Sequence, residues 1–171
     1  MQKYDVIVVG SGPAGQRAAI AAAKLSRRVA VIERLLDVGG GCIHQGTIPS
    51  KTLREAVAYL SGIRERHIYG AAYRVKDRIT IEDLTFRTQR VIGNEVNIVR
   101  DQLLRNYVEI VRGTARFIEP HRLLVENGNS TVDLSADKII IAVGSRPGRP
   151  AGIEFDDRTV VDSDGLLRLV E

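Results

Sequence analysis

Three glycines near the N-terminus have the spacing of a dinucleotide-binding turn. The apolar run at residues 4–10 (YDVIVVG) predicts a buried strand that ends at Gly10, and the alanine-rich segment from Pro13 predicts a helix. Gly10, Gly12 and Gly15 form G-x-G-x-x-G across this junction. The first glycine permits a tight turn, the second lets the backbone approach a pyrophosphate, and the third lets the helix pack closely on the strand. Phosphate oxygens would then meet free N–H groups at the helix start.

An acidic residue follows at the position that this motif requires. Residues 28–33 (RVAVIE) predict a second strand, and Glu33 ends it 23 residues after Gly10, which suits hydrogen bonds to the hydroxyls of an adenosine ribose. Arg34 could accommodate a ribose 2′-phosphate, but Glu33 would repel it, so we expect an adenosine diphosphate moiety without that phosphate. The residues alone leave FAD and NAD both open, and the alternative is a glycine-rich turn beside a solvated acid.

A second glycine-rich segment, residues 39–51 (GGGCIHQGTIPSK), places a thiol, an imidazole, a hydroxyl and an amine close together in sequence. Cys42 is the only cysteine among 171 residues, so no disulfide can form within this chain. Its thiol near a helix start could be reactive, although single cysteines are more often buried and inert. His44 and Lys51 could equally be a hydrogen-bonded structural histidine and an exposed helix lysine.

The order of the remaining elements predicts an α/β fold of Rossmann type, with a parallel sheet and flanking helices. Hydrophobic periodicity and glycine or proline boundaries predict helices at 13–26, 49–64 and 80–106, and strands at 108–111, 115–118, 122–126, 131–134 and 137–144. Pro120 and the turn Asn127, Gly128 and Asn129 separate the three short strands, which predicts an antiparallel meander. Residues 145–152 (SRPGRPAG) predict an exposed connection.

The composition is that of an ordinary globular protein, with 44% hydrophobic and 27% charged residues. The formal net charge is +4, but the arginines are scattered among acids, so we expect no nucleic-acid partner. No apolar run has membrane-spanning length, and one cysteine fits a reducing compartment, so we expect a cytoplasmic protein without a membrane partner. His67 and His121 lie in segments without clustered ligands, so no metal site is predicted.

Four stretches carry a resemblance to a known family: GSGPAG at 10–15, GGGCIHQGTIPSK at 39–51, GTARF at 113–117 and AVGSRP at 142–147. They resemble the FAD half of the flavoprotein disulfide reductases, the family of glutathione reductase and lipoamide dehydrogenase. In that family the second stretch carries two cysteines separated by four residues, whereas here Cys42 is followed by Thr47. The threonine, with His44 inside the loop, is most similar to the soluble pyridine nucleotide transhydrogenases of that family.

The resemblance implies FAD in this first site. It implies pyrophosphate contacts at Gly12, Pro13, Ala14 and Gly15 and at the backbone of Gly41 and Cys42, with Gly40 as a further cofactor contact. It implies ribose contacts at Glu33 with Arg34 beside it, adenine contacts at Thr114 and Ala115, and a close approach of Ala142, Val143 and Gly144. On the flavin side it implies Gly46 and Thr47, where a reductase has its charge-transfer thiolate, Lys51 near N5, and Ser163. No catalytic or metal-binding residue is assigned.

The resemblance also implies an activity. Because Thr47 replaces the second cysteine, electrons on the cofactor must pass to an acceptor that reaches it directly, and a second nicotinamide meets that need. We therefore expect hydride transfer between NADPH and NAD without a redox disulfide. Two alternatives stay open, namely a thiol-independent NAD(P)H oxidase or diaphorase and, for the isolated chain, a non-catalytic FAD-binding module.

No second G-x-G-x-x-G follows, so the sequence shows no nicotinamide-nucleotide site. We expect residues 1–144 to be the N-terminal part of an FAD-binding domain and residues 145–171 to be a connection toward an absent NAD(P)-binding domain, as in a truncated protein or the product of a split gene. The isolated chain is then expected to be inactive. The full-length protein is expected to bind NAD(P) as well as FAD and to form a homodimer.

Overall fold

The computed structural model describes residues 1–70, 78–128 and 130–169. It divides into two compact units. The sheet unit comprises Met1–Cys42 and Glu95–Ser145, and the helical unit comprises Ile43–Asn94 and Arg146–Glu171. Asn129, which belongs to one predicted turn, lies outside the described residues.

One six-stranded sheet forms the sheet unit. Its strands are β1 (Gln2–Val9), β2 (Val29–Glu33), β3 (Glu109–Arg112), β4 (Thr114–Glu119), β5 (Arg122–Asn127) and β6 (Ser130–Ile141). Their spatial order is β3-β2-β1-β6-β5-β4. The β3, β2, β1 and β6 neighbours pair in parallel, whereas β6, β5 and β4 pair antiparallel. The predicted Rossmann-like class with a parallel sheet and an antiparallel meander is confirmed, and both parts share one mixed sheet.

The strand β6 is continuous where the sequence predicted two strands, at 131–134 and 137–144. Leu134 pairs with Leu123 of β5 and also with Gln2 of β1, so the middle of β6 has a partner on each side. The same strand is therefore antiparallel to β5 and parallel to β1. Because both neighbours supply hydrogen bonds, no break occurs at residues 135 and 136, and the two-strand prediction was wrong.

The core lies inside this sheet, which curls back on itself. Only Gly113 separates β3 from β4, although these two strands are the opposite edges of the sheet. The Gly113 N–H donates to the Glu33 carbonyl at 2.8 Å. A Cβ at Gly113 would lie 2.6 Å from the carbonyl oxygen of Glu126 in β5, so a side chain would push the junction of β3 and β4 away from β5. Eight buried residues fill the interior: Tyr4, Ile7, Ala30, Ile32, Leu123, Val125, Leu134 and Ala136.

Six helices occur in the described residues. They are α1 (Pro13–Lys24), α2 (Gly40–His44), α3 (Thr47–Leu60), α4 (Ile63–Tyr69), α5 (Ile81–Arg105) and α6 (Ser163–Leu166). The helix predicted at 49–64 is broken because Gly62 has a φ of +64°, which separates α3 from α4. No helix in the described part of the chain is long and apolar enough to cross a membrane.

Candidate functional site

The turn between β1 and α1 is closed by backbone contacts that exclude side chains. Gly10 has a φ of +103°, and a Cβ there would lie 2.3 Å from the Ala142 carbonyl oxygen. A Cβ at Gly15 would lie 1.9 Å from the Gly10 carbonyl oxygen. Gly12 is the N-cap of α1 and supplies no side-chain cap, and Pro13 occupies the first helical position. The first N–H groups of α1 therefore have no side chain to satisfy them and can meet an anion.

A second glycine turn packs directly on the first. Gly40 has a φ of +63°, and a Cβ there would lie 2.6 Å from the Gly12 Cα and 3.1 Å from the Gly12 nitrogen. The two turns thus meet backbone to backbone within the sheet unit. Gly41 follows in the short helix α2, and Cys42 after it carries a free, half-buried thiol. The resulting surface consists of main chain, which suits the close approach of a pyrophosphate.

Glu33 ends β2 beside these turns and is buried, with 7% of its surface exposed. Its Oε2 accepts hydrogen bonds from the Ser11 hydroxyl at 2.5 Å and the Ser11 N–H at 3.0 Å. Its Oε1 accepts from the Leu35 N–H at 2.9 Å. The Ser11 oxygen in turn accepts from the Gly39 N–H at 3.0 Å. Ser11 was not predicted as a site residue, and its only signal in the sequence is that a small polar residue stands between the first two glycines.

Two neighbouring charged residues of the sheet unit are more exposed. Arg34 follows Glu33 directly and lies on the surface. Asp37 accepts a hydrogen bond from Arg100 Nη2 at 2.6 Å, which ties the loop after β2 to α5. Both partners of this ion pair are about 40% exposed, at 39% and 44%, so it contributes little to stability, roughly 0–1 kcal/mol.

The segment after β6 lies under the first glycine turn. The Ala142 N–H donates to the Val9 carbonyl at 2.8 Å, which continues the pairing of β6 with β1. Val143 is 65% exposed, and Gly144 has a φ of +71° with open space where a Cβ would stand. The carboxyl ends of β1, β2 and β6 therefore share one edge of the sheet, where ligands of open α/β sheets bind.

The start of β4 is the remaining predicted contact region of the sheet unit. The Gly113 hydrogen bond to the Glu33 carbonyl brings Thr114 to the end of β2. Thr114 is exposed, whereas Ala115 is half-buried and packs against the core. Thr114 is thus the more accessible of the two.

The other predicted site residues belong to the helical unit. Gly46 is the N-cap of α3 and Thr47 is its first residue, while Lys51 stands one turn later on the same face. Thr47 and Lys51 are both exposed. The buried Pro49 lies in the first turn of α3, where a missing N–H costs no helical hydrogen bond.

Ser163 is the exposed first residue of α6, and its neighbour fixes the start of that helix. Asp162 Oδ1 accepts hydrogen bonds from the Asp164 N–H at 3.1 Å and the Gly165 N–H at 2.8 Å. Arg149 Nε donates to Asp162 Oδ2 at 2.9 Å. The Gly165 hydrogen bond, followed by that of Arg149, holds the pKa of Asp162 below its usual value. Asp162 therefore remains an ionised cap.

The helical unit also contains a pocket of about 110 Å³ between α3, α5 and the α6 region, with His44 among its lining residues. Ligand pockets typically measure about 300–1,000 Å³, so this one is too small for a dinucleotide. Across residues 1–70, 78–128 and 130–169, no group of three His, Cys, Asp or Glu side chains is placed to hold a metal ion. The glycine turns and Glu33 of the sheet unit are therefore a stronger candidate for a dinucleotide site than this pocket.

Comparison with known proteins gives a consistent set of relatives. The family model described as "Pyridine nucleotide-disulphide oxidoreductase" matches residues 4–170. The "Soluble pyridine nucleotide transhydrogenase" of Mycobacterium bovis (strain BCG / Pasteur 1173P2) is 57% identical over 171 residues, which cover 99% of this chain and 36% of the relative. The protein of that name from Colwellia psychrerythraea is 42% identical over 167 residues, which cover 97% of this chain and 36% of the relative.

A solved structure resembles the chain as well. The Cu(II) complex of the HOCl-induced flavoprotein disulfide reductase RclA from Escherichia coli matches with a TM-score of 0.78 and 28% sequence identity. The match covers 99% of this chain and 35% of that chain. The chain thus spans about a third of the length of the relatives that it matches.

Proposed function

Because this chain belongs to the pyridine nucleotide-disulphide oxidoreductase family, we propose that it supplies the FAD site of a flavoprotein that transfers hydride between NADPH and NAD. Relatives at 57% and 42% identity carry the name soluble pyridine nucleotide transhydrogenase, which supports this reaction. Residues 1–144 are proposed to contribute the FAD-binding part, and residues 145–171 the connection toward a nicotinamide-binding domain.

The observation that carries the proposal is the backbone contact between the two glycine turns. Gly12 and Gly40 approach so closely that a Cβ at Gly40 would stand 2.6 Å from the Gly12 Cα. Gly12, Pro13, Ala14 and Gly15 of one turn and Gly40, Gly41 and Cys42 of the other would hold the pyrophosphate. This cradle suits an adenine dinucleotide because the two turns meet through glycine backbone and the start of α1 has no side-chain cap on its N–H groups.

The adenosine end would be held at the carboxyl ends of the neighbouring strands. Glu33 would accept a hydrogen bond from the ribose, with Arg34 beside it on the surface. Thr114 and Ala115 would contact the adenine, and Ala142, Val143 and Gly144 would pass close to the cofactor. We propose Gly46, Thr47, Lys51 and Ser163 of the helical unit as contacts on the flavin side.

The proposed hydride transfer needs no redox disulfide, because the 171 residues contain a single cysteine. When bound, the flavin would supply hydride transfer to and from nicotinamides. Cys42 has no second cysteine in the 171 residues, and Thr47 stands where the disulfide reductases have one, so these residues offer no internal dithiol. Thr47 would contact the flavin without accepting electrons from it. The positive charge of Lys51, one helical turn away, would favour negative charge on the bound flavin ring.

The longer protein is proposed to bind NAD(P), to form a homodimer and to act in the cytoplasm. The isolated 171-residue chain is proposed to bind FAD without turnover. A thiol-independent oxidase or diaphorase would share the same features of this chain. Oxygen consumption measured against NADPH-to-NAD exchange in the longer protein separates these two activities.

The direct test is a titration of the purified chain with FAD, followed by flavin absorbance and fluorescence. Glu33→Gln is the matched variant, because it keeps the size of the side chain and removes the charge. Saturable binding that is weakened about tenfold or more in Glu33→Gln is the expected result, since hydrogen bonds to charged groups contribute about 1.5–3 kcal/mol. A folded wild-type chain that binds no FAD would refute the proposed site.

A further inference from the structure

We propose that Ser11 is a positioning residue of the nucleotide site, whose hydroxyl orients the Glu33 carboxylate to select an adenosine ribose with a free 2′-hydroxyl. This inference rests on the proposed FAD-binding function. Ser11 lies between the first two glycines of the motif and is completely buried, with 0% of its surface exposed. A buried hydroxyl at this position needs hydrogen-bond partners, and these partners define its role.

The hydrogen bonds of Ser11 connect three elements of the sheet unit. A serine hydroxyl has one donor and two acceptor positions. Its donor goes to Glu33 Oε2 at 2.5 Å, and it accepts from the Gly39 N–H at 3.0 Å. The short donor distance is typical of a charge-assisted O–H···O⁻ bond. The end of β2 and the start of the second glycine turn are thereby fixed to the turn between β1 and α1.

These hydrogen bonds leave one acceptor position on the Glu33 carboxylate for a ligand. An ionised carboxylate offers about four acceptor positions and no donor. Ser11 supplies two hydrogen bonds to Oε2, and the Leu35 N–H supplies one to Oε1. The remaining position on Oε1 can accept a ribose hydroxyl, whereas a 2′-phosphate would bring only acceptors and negative charge. Removing the Ser11 hydroxyl opens a second position on Oε2 and lets the carboxylate rotate.

The test compares the affinities of ADP and 2′-deoxy-ADP, measured by calorimetric titration. The proteins are the wild type, Ser11→Ala, Ser11→Cys and the control Ser130→Ala, which removes an exposed hydroxyl that donates to the Asn127 carbonyl at 2.9 Å. We expect the wild type and Ser130→Ala to prefer ADP by about tenfold, the factor for roughly 1.4 kcal/mol. Ser11→Ala should prefer ADP by less than about threefold, and Ser11→Cys, a weaker donor, should lie between them.

A purely structural role for Ser11 gives a different result, because both nucleotides would then bind more weakly by the same factor. An unchanged ADP preference in Ser11→Ala would therefore overturn the positioning role while leaving the proposed function intact. A wild-type chain that binds neither FAD nor ADP would refute the proposed function and this inference with it. If circular dichroism shows Ser11→Ala to be unfolded, the reduced preference in Ser11→Cys decides the question on the same criterion.

Amide hydrogen exchange provides a readout that needs no nucleotide. The Gly39 N–H has the Ser11 oxygen as its acceptor, so its exchange should accelerate in Ser11→Ala and not in Ser130→Ala. Equal protection of Gly39 in all folded variants would contradict the hydrogen bond on which the inference depends.

Discussion

Replacing Gly40 by alanine tests the close approach of the two glycine turns. The φ of +63° is a left-handed conformation, which costs an alanine about 1–2 kcal/mol. The added Cβ would stand 2.6 Å from the Gly12 Cα, where ordinary contact begins at 3.4 Å, so the turns would have to separate by about 0.8 Å. Overpacking of this kind costs a further 1–3 kcal/mol or so, which gives a total loss of about 2–5 kcal/mol in the free energy of unfolding.

Gly128→Ala is the matched control because Gly128 has a similar φ of +59° and no atom within 4 Å of a Cβ. Only the conformational cost of about 1–2 kcal/mol applies there. Urea unfolding followed by circular dichroism gives both free energies of unfolding. Gly40→Ala should be the more destabilised by about 1–3 kcal/mol, and its FAD affinity should fall with the displaced turn. Equal destabilisation of the two variants would refute the backbone contact.

Three further outcomes are expected. Gly12→Ala should keep the urea midpoint of the wild type, because the φ of Gly12 is −65° and the nearest atom to a Cβ there is 4.0 Å away. It should nevertheless weaken FAD binding about tenfold or more in the FAD titration, because the added methyl group stands where the pyrophosphate approaches the backbone. The hydrogen bond from Gly165 lowers the pKa of Asp162, so this cap stabilises α6 above the unfolded pKa of about 4 and is lost as the pH falls through the lowered pKa. The protection factor of the Gly165 amide, corrected for the pH dependence of intrinsic exchange, should fall on acidification, and an unchanged protection factor would contradict this role. Burial raises the pKa of Tyr4 from 10.0 to about 12, so neutral Tyr4 stabilises the fold below pH 10.0 and that contribution is lost as pH rises through about 12. An ultraviolet titration should show one tyrosine with a midpoint well above 10.0 that Tyr4→Phe removes, and a titration in which every tyrosine has its midpoint near 10.0 would disprove it.

The first βαβ unit was predictable because its signals are local. The signals are an apolar run, three spaced glycines, Pro13 at the first helical position and Glu33 at the end of the next strand, and each acts over a few residues. The bounds of α5 were predicted to within one residue for a similar reason. Thr80 and Asp83 exchange hydrogen bonds at its start, and the Thr80 N–H donates to Asp83 Oδ2 at 2.9 Å. The helix cap therefore depends on residues close together in the sequence.

What the sequence could not predict depends on residues far apart in the chain. The continuity of β6 requires two strands to flank residues 134–136, and neither partner is visible in the local pattern. The short helix α2 forms within a glycine-rich segment whose composition indicates a loop. The role of Ser11 emerges only once Glu33 and Gly39 are brought beside it. Placement of the flavin-side residues and the domain boundary at 144 remain predictions.

The pairing of β1 with β6 sets the order in which this protein can fold as it is synthesised. Gln2 pairs with Leu134 and Val9 with Ile141, so partners are 132 positions apart in the chain. Contacts of such long range form slowly, because the entropy of closing the intervening chain is lost before any pairing is gained. Until residue 142 has left the ribosome, one edge of β1 stays open to wrong partners, and the Gly10 turn lacks the carbonyl beneath it. Strand β1 is therefore synthesised before β6 but reaches its final structure only after β6 has been made.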